Sequence, residues 1–257
     1  MAKRVDINCD MGEGFGRWRI GNTDDADLFP FITSANVACG FHAGDPTLIN
    51  KTIGLAVQHG CAVGAHPGYN DLQGFGRRRI NGTPEEIACD LIYQIGAVRE
   101  FARYHGLTLQ HVKPHGAVYM ELAADEALAT TFLDILHKTS PELPLFCMAG
   151  SLIEKLAVVK GHPVVREFYA DRDYGDDGFI VFTRDAGLPD PEEIAQKCLR
   201  ACTEGLVRTV QGNDITIPFE SICIHSDTLG SGEIVRAIRR VFQDNGITVA
   251  AIGNNAT

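Results

Sequence analysis

Basic residues are scarce in this sequence relative to acidic ones. It has 23 lysines and arginines against 33 aspartates and glutamates, which gives a net charge of −10 over 257 residues. Proteins that bind nucleic acid usually carry a basic patch, and an anionic membrane surface attracts the same kind of patch. The composition therefore argues against both partners, although a few local cations can still bind an anionic substrate.

Long apolar runs are also missing. No uncharged apolar stretch approaches the roughly 18 residues of a membrane-spanning helix. The first letters, MAKRVD, lead to acidic residues and not to the apolar core of a signal peptide. The eight cysteines include no CxxC pair, and several fall in apolar runs where cysteine behaves as a small hydrophobic residue. We therefore expect a cytoplasmic protein without a disulfide framework.

Four common catalytic or nucleotide-binding motifs are absent from the sequence. No GxxxxGK[ST] occurs, and the glycines at 12, 14 and 16 do not complete GxGxxG because Arg17 holds the last place. Any ATP must therefore be handled by another route or by another chain. A zinc hydrolase would use His42, His66 and an aspartate as ligands, but no HExxH occurs, so the metal signal is weak and we assign no metal ligands. The absence of GxSxG argues against a serine nucleophile.

Short β-branched segments alternate with longer amphipathic segments along the whole chain. Helical segments at 45–60, 83–106, 189–212 and 231–246 open with cap signals and close at glycine. This alternation predicts parallel strands joined by crossover helices, within one domain spanning residues 1–257. The predicted strands are 4–10, 34–41, 61–67, 109–115, 144–150, 164–170 and 221–227.

Polar residues stand at the carboxyl end of nearly every predicted strand. In a β/α barrel all of these ends converge on one mouth, whereas an open sheet uses only the strands at its switch point. The pattern therefore favours a seven-stranded β/α barrel. The residues are Asp10, His42, His66, His115, Asp171 and His225.

Side chains two positions apart share one face of a strand, and several predicted strands place polar residues in that phase. Such sets are costly to bury unless they face a polar cavity. They are Asp6, Asn8 and Asp10; His111, Lys113 and His115; Glu167, Tyr169 and Asp171; and Cys223, His225 and Asp227. General acid–base catalysis by carboxylates and histidines, assisted by a lysine cation, fits this inventory best.

Ordinary structural roles compete with these assignments. Asp10 could cap a turn, and His42 and His66 could be loop histidines. Glu167 could form an exposed ion pair with Arg166 or Arg172. We expect His111 to be structural, whereas a lysine in an apolar strand such as Lys113 needs a carboxylate partner or a function.

Several longer sequence motifs are distinctive over their full length. The chain contains NCDMGEG, SANVACGFHAGD, GAHPGYND, YQIGA, HVKPHGAVY, FYADRDY and a closing HSD. In these motifs it resembles the LamB/YcsF family over nearly its whole length. The resemblance implies a seven-stranded β/α barrel akin to the glycoside hydrolase/deacetylase superfamily. It also implies ATP-dependent opening of 5-oxoproline to L-glutamate, in which partner subunits B and C activate the lactam with ATP.

For this ring opening we assign hypothetical roles to the candidate residues. Asp10 would be the general base with Glu13 or Asp45 second, Lys113 would face developing negative charge, and His42, His66 and His115 would orient groups or shuttle protons. Arg77 and Arg172 would hold the substrate carboxylate or a phosphate. The predicted substrate-binding set is Asn8, His42, Arg77, Glu167, Asp171, Arg172 and His225.

Two departures from the family pattern and two rival functions stay open. Relatives commonly read HGD where this chain has His225-Ser226-Asp227, and the segment IVFTRDAG at 180–187 replaces a usual Pro-Arg pair. One rival is a metal-dependent deacetylase or amidohydrolase that acts alone. The other is a non-catalytic protein that binds a carboxylated metabolite.

Overall fold

The computed structural model describes residues 4–21, 23–181 and 190–253. Its strands are β1 (Arg4–Met11), β2 (Gly14–Phe15), β3 (Trp18–Arg19), β4 (Ser34–Ala38), β5 (Ala62–His66), β6 (His111–Val112), β7 (Leu145–Met148), β8 (Val164–Tyr169), β9 (Asp173–Tyr174), β10 (Ile180–Val181), β11 (Leu206–Arg208), β12 (Asp214–Thr216), β13 (Ser221–Ile224) and β14 (Thr248–Val249). Its helices are α1 (Asp25–Leu28), a 3₁₀ turn (Phe29–Phe31), α2 (Pro46–His59), α3 (Pro84–Tyr104), α4 (Gly116–Leu122), α5 (Glu126–Thr139), α6 (Leu152–Lys160), α7 (Pro191–Glu204) and α8 (Ser231–Asp244).

The main sheet contains all seven predicted strands. Its order is β13-β8-β7-β6-β5-β4-β1-β14, and β13 also pairs with β1. That last pairing is parallel, with Asp6 opposite Ser221 and Cys9 opposite Ile224, so the sheet closes on itself. The predicted fold class, a seven-stranded parallel β/α barrel, is confirmed.

By contact density the chain divides into two compact units. The terminal unit consists of residues 1–9, 21–34 and 166–257, and the middle unit consists of residues 10–20 and 35–165. The expectation of one domain over residues 1–257 stays a prediction. No helix in the described part of the chain is both long and apolar enough to cross a membrane.

The helix ends follow from local sequence. Asp45 caps α2 by accepting hydrogen bonds from Thr47 N and Leu48 N, and Gly60 ends it in the left-handed conformation. At α3 the Thr83 hydroxyl and the Glu86 carboxylate each accept a backbone hydrogen bond, forming a capping box. These signals explain why the predicted starts and ends lie within a few residues of the observed ones.

Two predicted elements exceed the observed ones by five residues or more. The predicted strand 109–115 contracts to His111–Val112 in β6, and His115 becomes the N-cap residue of α4. The predicted helix 189–212 ends at Glu204, because Gly205 adopts a left-handed cap and Leu206 starts β11. The helix prediction was wrong beyond Gly205, since it did not treat that glycine as a stop.

Candidate functional site

A group of buried ionisable side chains collects at the carboxyl ends of β1, β5 and β6 in the middle unit. Strand β1 carries Asp10, which is only 2% exposed, and the following turn carries buried Glu13. Gly12 between them has φ +72°, and a β-carbon there would lie 3.1 Å from Thr52 Oγ1. Glycine thus lets the chain reverse tightly, so that both carboxylates enter the same cluster.

Asp10 is held by a cation and an amide. Its Oδ1 accepts hydrogen bonds from Lys113 Nζ at 2.8 Å and from Asn36 Nδ2 at 2.8 Å. Its Oδ2 lies 3.4 Å from His66 Nε2. Lys113 is 3% exposed, so the ion pair is buried. Two donors on Oδ1 fix the orientation of the carboxylate.

Asn36 is in turn oriented by His111. The ring Nε2 of His111 lies 2.6 Å from Asn36 Oδ1, and the ring stacks on Phe146 with centroids 4.1 Å apart. Because the Asn36 amide nitrogen faces Asp10, its oxygen must accept from the His111 N–H. Burial and the Lys113 charge lower the pKa of His111 to about 3, so the ring is neutral. This chain of contacts gives His111 a positioning role.

Three histidines surround Glu13. His42 Nε2 lies 3.5 Å from Glu13 Oε1, His115 Nδ1 lies 3.4 Å from it, and His66 Nε2 lies 3.9 Å from it. The rings of His42 and His115 are stacked, with centroids 3.7 Å apart and an angle of 3° between planes. Burial and the neighbouring imidazoles hold the pKa of His42 and of His115 well below the usual histidine value. Both rings are therefore neutral at physiological pH.

The hydrogen bonds made by two of these rings define their tautomers. His66 Nδ1 lies 2.6 Å from the carbonyl oxygen of Lys113, and His115 Nε2 lies 2.8 Å from the carbonyl oxygen of Phe75. A carbonyl can only accept, so each of these nitrogens carries the hydrogen. The other two nitrogens, His66 Nε2 and His115 Nδ1, face each other at 3.0 Å.

Glycines make room for these rings. A β-carbon at Gly64 would lie 2.1 Å from His111 Nε2, and one at Gly68 would lie 2.6 Å from His42 Nδ1. Both distances are far inside van der Waals contact. The Gly68 backbone is itself clamped by Gln94, whose amide accepts from Gly68 N and donates to Gly68 O. The sequence AVGAHPG therefore encodes space for two histidines.

Four side chains of this cluster could hold a metal ion. One ligand atom from each of Glu13, His42, His66 and His115 lies within 4.8 Å of all the others, and all four residues are buried. Spacing along the chain gave no such signal, because the four residues come from three separate loops and a strand end.

Other predicted residues belong to the terminal unit. Asn8 donates to Glu167 Oε1 at 3.1 Å and to Ser221 Oγ at 2.7 Å, and Ser221 donates to Asp6 Oδ2 at 2.5 Å. Burial raises the pKa of Asp6 above its usual value. Glu167 is 1% exposed, so the alternative of an exposed ion pair for this residue was wrong.

A second polar group in the terminal unit forms around Asp171. His225 Nδ1 lies 2.9 Å from Asp171 Oδ1, Arg172 Nη1 lies 3.2 Å from Oδ2, and the Thr228 hydroxyl also donates to Oδ2. Burial alone would raise the pKa of Asp171, but these three partners outweigh it and hold the pKa below its usual range. The predicted Asp171, Arg172 and His225 are therefore brought together. Of the late departures, positions 182–187 lie outside the described residues.

Asp45 serves a helix cap, whereas the charge of Arg77 acts on His42 and His115 of the cluster. Asp45 uses Oδ1 to cap α2 and Oδ2 to accept from Gly16 N at 2.9 Å, so helix capping and this loop contact account for both oxygens. Arg77 is exposed, with its guanidinium carbon 5.0 Å above the Phe75 ring. Its side chain is therefore accessible to an anionic ligand.

Sequence reasoning missed Asn36 as a partner of Asp10. The signal was present, because Ser34 and Asn36 are polar residues two positions apart in the predicted strand 34–41. That is the same in-phase pattern that identified Asn8 and Asp10. The Phe75 carbonyl could not have been found, since a backbone acceptor has no sequence signature.

Known proteins match the chain over nearly its full length. The family model described as LamB/YcsF family matches residues 5–257. A Pseudomonas aeruginosa protein, named as an A subunit of 5-oxoprolinase, is 55% identical over 247 residues, covering 96% of this chain and 98% of that protein. A Natranaerobius thermophilus protein with the same A-subunit name is 44% identical, covering 98% of each. The crystal structure of a lactam utilization protein from Thermus thermophilus has a TM-score of 0.91 at 39% identity, covering 97% of this chain and 100% of that one.

Proposed function

Because the chain belongs to the LamB/YcsF family, we propose that it is the A component of an ATP-dependent 5-oxoprolinase, which opens 5-oxo-L-proline to L-glutamate together with subunits B and C. The names of relatives matched over almost their full length support this assignment. The absence of a P-loop motif agrees with a division of labour in which the partner subunits handle ATP.

The chemistry needs activation first, because a five-membered lactam is a resonance-stabilised amide. In the proposed scheme subunits B and C transfer the γ-phosphoryl group of ATP to the lactam oxygen. Water then adds to the activated carbon in the site of this chain, and the C–N bond breaks as the ring nitrogen takes up a proton. The resulting acyl phosphate reacts with a second water to give glutamate and phosphate, so that two waters are used per ATP.

The observation that carries the catalytic assignment is the environment of Asp10. Lys113 and Asn36 both bind Oδ1 at 2.8 Å, which pairs the carboxylate with a cation and holds it in one orientation. A general base must be ionised and positioned before water arrives, and it contributes about 10²–10⁴-fold. In this scheme Asp10 takes a proton from the attacking water, and the Lys113 cation stabilises the oxyanion that develops.

Glu13 and the three histidines complete the proposed site. His66 Nε2 lies 3.4 Å from Asp10 Oδ2, so this ring helps to orient the base. Arg77 is the candidate for the substrate carboxylate or the phosphate, because its exposed guanidinium can form two parallel hydrogen bonds to either group. The substrate-binding roles of Asn8, Glu167, Asp171, Arg172 and His225 stay predictions.

The test measures glutamate release from 5-oxoproline and ATP, with and without subunits B and C. We expect glutamate only when all three subunits are present, and we expect Asp10→Asn to lose at least about a hundredfold in rate. Asp134→Asn is the matched control, since Asp134 pairs with Lys160 on the surface of α5. Glutamate formed by this chain alone would contradict the shared scheme.

A metal-dependent deacetylase or amidohydrolase that acts alone is the second candidate, favoured by the grouping of Glu13 with His42, His66 and His115. Hydrolysis of an acetylated or amide substrate without partner subunits, abolished by a chelator, would favour that reading. Stabilisation by 5-oxoproline with no turnover, even with both partners, would instead indicate a binding protein.

A further inference from the structure

In the middle unit His66 Nε2 and His115 Nδ1 face each other, and neither nitrogen carries a hydrogen in the neutral ring. His66 gives its Nδ1 hydrogen to the Lys113 carbonyl, and His115 gives its Nε2 hydrogen to the Phe75 carbonyl. In their neutral forms His66 Nε2 and His115 Nδ1 therefore present lone pairs to each other across 3.0 Å. Two lone pairs at this distance repel unless a cation lies between them.

His42 adds a third imidazole to this arrangement. It is completely buried, and neither of its ring nitrogens makes a hydrogen bond within the part of the chain that the structure describes. Its Nδ1 edge packs against Gly68, while Nε2 lies 3.5 Å from Glu13 Oε1. Burying a polar nitrogen without a hydrogen-bond partner costs free energy. A bound ion would supply the missing partner for this ring.

We propose that Glu13, His42, His66 and His115 form a binding site for one divalent transition-metal ion of the zinc class. The ligand atoms would be Glu13 Oε1, His42 Nε2, His66 Nε2 and His115 Nδ1. These four residues do not form a recognised metal-binding sequence motif. The site lies inside one compact unit, so it does not depend on any partner chain.

The distances between the ligand atoms match the edges of a tetrahedron. Zinc bonds of about 2.0–2.1 Å to nitrogen or oxygen give edges of roughly 3.3–3.4 Å. The four separations given by the structure are 3.0 Å (His66–His115), 3.4 Å (His115–Glu13), 3.5 Å (His42–Glu13) and 3.9 Å (His66–Glu13). Shifts of a few tenths of an ångström, together with a rotation of one ring of the stacked His42–His115 pair, would centre an ion among them, because parallel rings 3.7 Å apart do not aim their lone pairs at one point.

The surroundings resemble the supporting shell of a metal site. In a metal-binding histidine the ring nitrogen that does not bind the metal usually donates its N–H to a carbonyl or carboxylate, which fixes the tautomer and the ring plane. His66 and His115 both do so here, at 2.6 and 2.8 Å. Three imidazoles and one carboxylate suit zinc or a related ion, whereas magnesium and calcium prefer oxygen ligands throughout.

Metal binding is tested on the isolated full chain, without substrate or subunits B and C, so the result does not depend on the proposed ring opening. Protein stripped with a chelator is titrated with Zn²⁺ against a chromophoric competitor, and bound metal is counted by mass spectrometry. We expect one ion per chain, a rise in melting temperature on binding, and the visible spectrum of tetrahedral Co²⁺ when cobalt replaces zinc.

Variants locate the ion. Glu13→Gln keeps the volume of the side chain but removes its charge, and His115→Ala removes one imidazole; each should weaken Zn²⁺ binding by at least about tenfold. Circular dichroism checks that both variants fold. The control is His137→Gln, because the other close histidine pair, His137 and His162 with their Nδ1 atoms 3.2 Å apart, is the obvious competing site.

The alternative cation is a single proton held between His66 and His115. It predicts that no zinc binds above the level of nonspecific sites, and that histidine NMR shows one shared hydrogen between the two rings in the untreated protein. Either that result, or zinc binding that is unchanged in Glu13→Gln and His115→Ala, would overturn the proposal.

Discussion

Lys113 Nζ lies 2.8 Å from Asp10 Oδ1, and both side chains are buried. A buried ion pair of this kind gives little net stability compared with an apolar pair of the same volume, but breaking it is expensive. A role in catalysis therefore explains the Asp10–Lys113 pair better than a contribution to the stability of the fold.

The first prediction separates stability from activity at this pair. Asp10→Asn should cost roughly 3–5 kcal/mol in the free energy of unfolding, because it leaves the Lys113 charge buried without its partner. The double variant Asp10→Asn/Lys113→Met should recover most of that loss. Its ring-opening rate should stay at least about a hundredfold below the parent rate. Urea denaturation and glutamate release provide the two measurements.

The Lys113→Met single variant completes the double-mutant cycle formed with Asp10→Asn and the double variant. It should lose stability as Asp10→Asn does, because it leaves the buried Asp10 carboxylate without its cation. A double variant that regains activity together with stability would show that Asp10 serves only the fold.

A second prediction concerns pH. The pKa of His111 is about 3 in the folded protein, against about 6.5 in an unfolded chain. Below about pH 6.5 the unfolded chain binds a proton that the folded protein does not, so stability must fall as the pH drops toward 3, by about 1.4 kcal/mol per pH unit in the middle of that range. His42 and His115 shift in the same direction and add to the slope.

Denaturation midpoints between pH 4 and 8 test this expectation. His111→Gln can still donate to Asn36 but does not titrate, so its curve should be flatter than that of the parent protein. Equal slopes for the two proteins would mean that His111 is not held neutral.

A third prediction uses the glycines. Gly64→Ala places a β-carbon 2.1 Å from His111 Nε2 and must displace that ring from Asn36. We expect a loss of about 1–3 kcal/mol, as for other overpacked core positions, together with reduced turnover. Gly96→Ala is the control, because Gly96 lies inside α3 with nothing within 4 Å of its would-be β-carbon, and alanine favours a helix by about 0.5–1 kcal/mol.

Removing the His111 ring should relieve that clash. In Gly64→Ala/His111→Ala the destabilisation measured by thermal unfolding should be smaller than the sum of the two single effects. Strict additivity would place the cause of the Gly64→Ala defect somewhere other than at His111.

A fourth prediction concerns Asp171 in the terminal unit. Its carboxylate accepts hydrogen bonds from His225, Arg172 and Thr228. Asp171→Asn should cost about 1.5–3 kcal/mol, the range for hydrogen bonds to a charged group. The difference should be largest above pH 5 and shrink in acid, because the depressed pKa keeps Asp171 charged in the folded protein while the unfolded chain takes up a proton below about pH 4. Urea denaturation at pH 7 and pH 3 measures it, and Asp134→Asn again serves as the surface control. An unchanged midpoint at pH 7 would contradict a stabilising role.

The strand and helix pattern could be predicted because its causes are local. Period-two polarity, Asp and Thr caps and left-handed glycines act within a few residues, and they identified all seven barrel strands and the start of α2 and α3. Gly205 shows where such reasoning failed, since an apolar pattern continued past a stop signal and was read as more helix.

Local sequence alone predicts that polar residues end these strands, which accounts for Asp10, His66 and His115, while Lys113 follows from the in-phase polar set of its own strand. Their partners follow only from the folded arrangement: Lys113 and Asn36 bind Asp10, His111 orients Asn36, and the Phe75 and Lys113 carbonyls set the tautomers of His115 and His66. Side-chain periodicity is a property of neighbours in the chain, whereas hydrogen-bond direction depends on which atoms lie within about 3 Å in space.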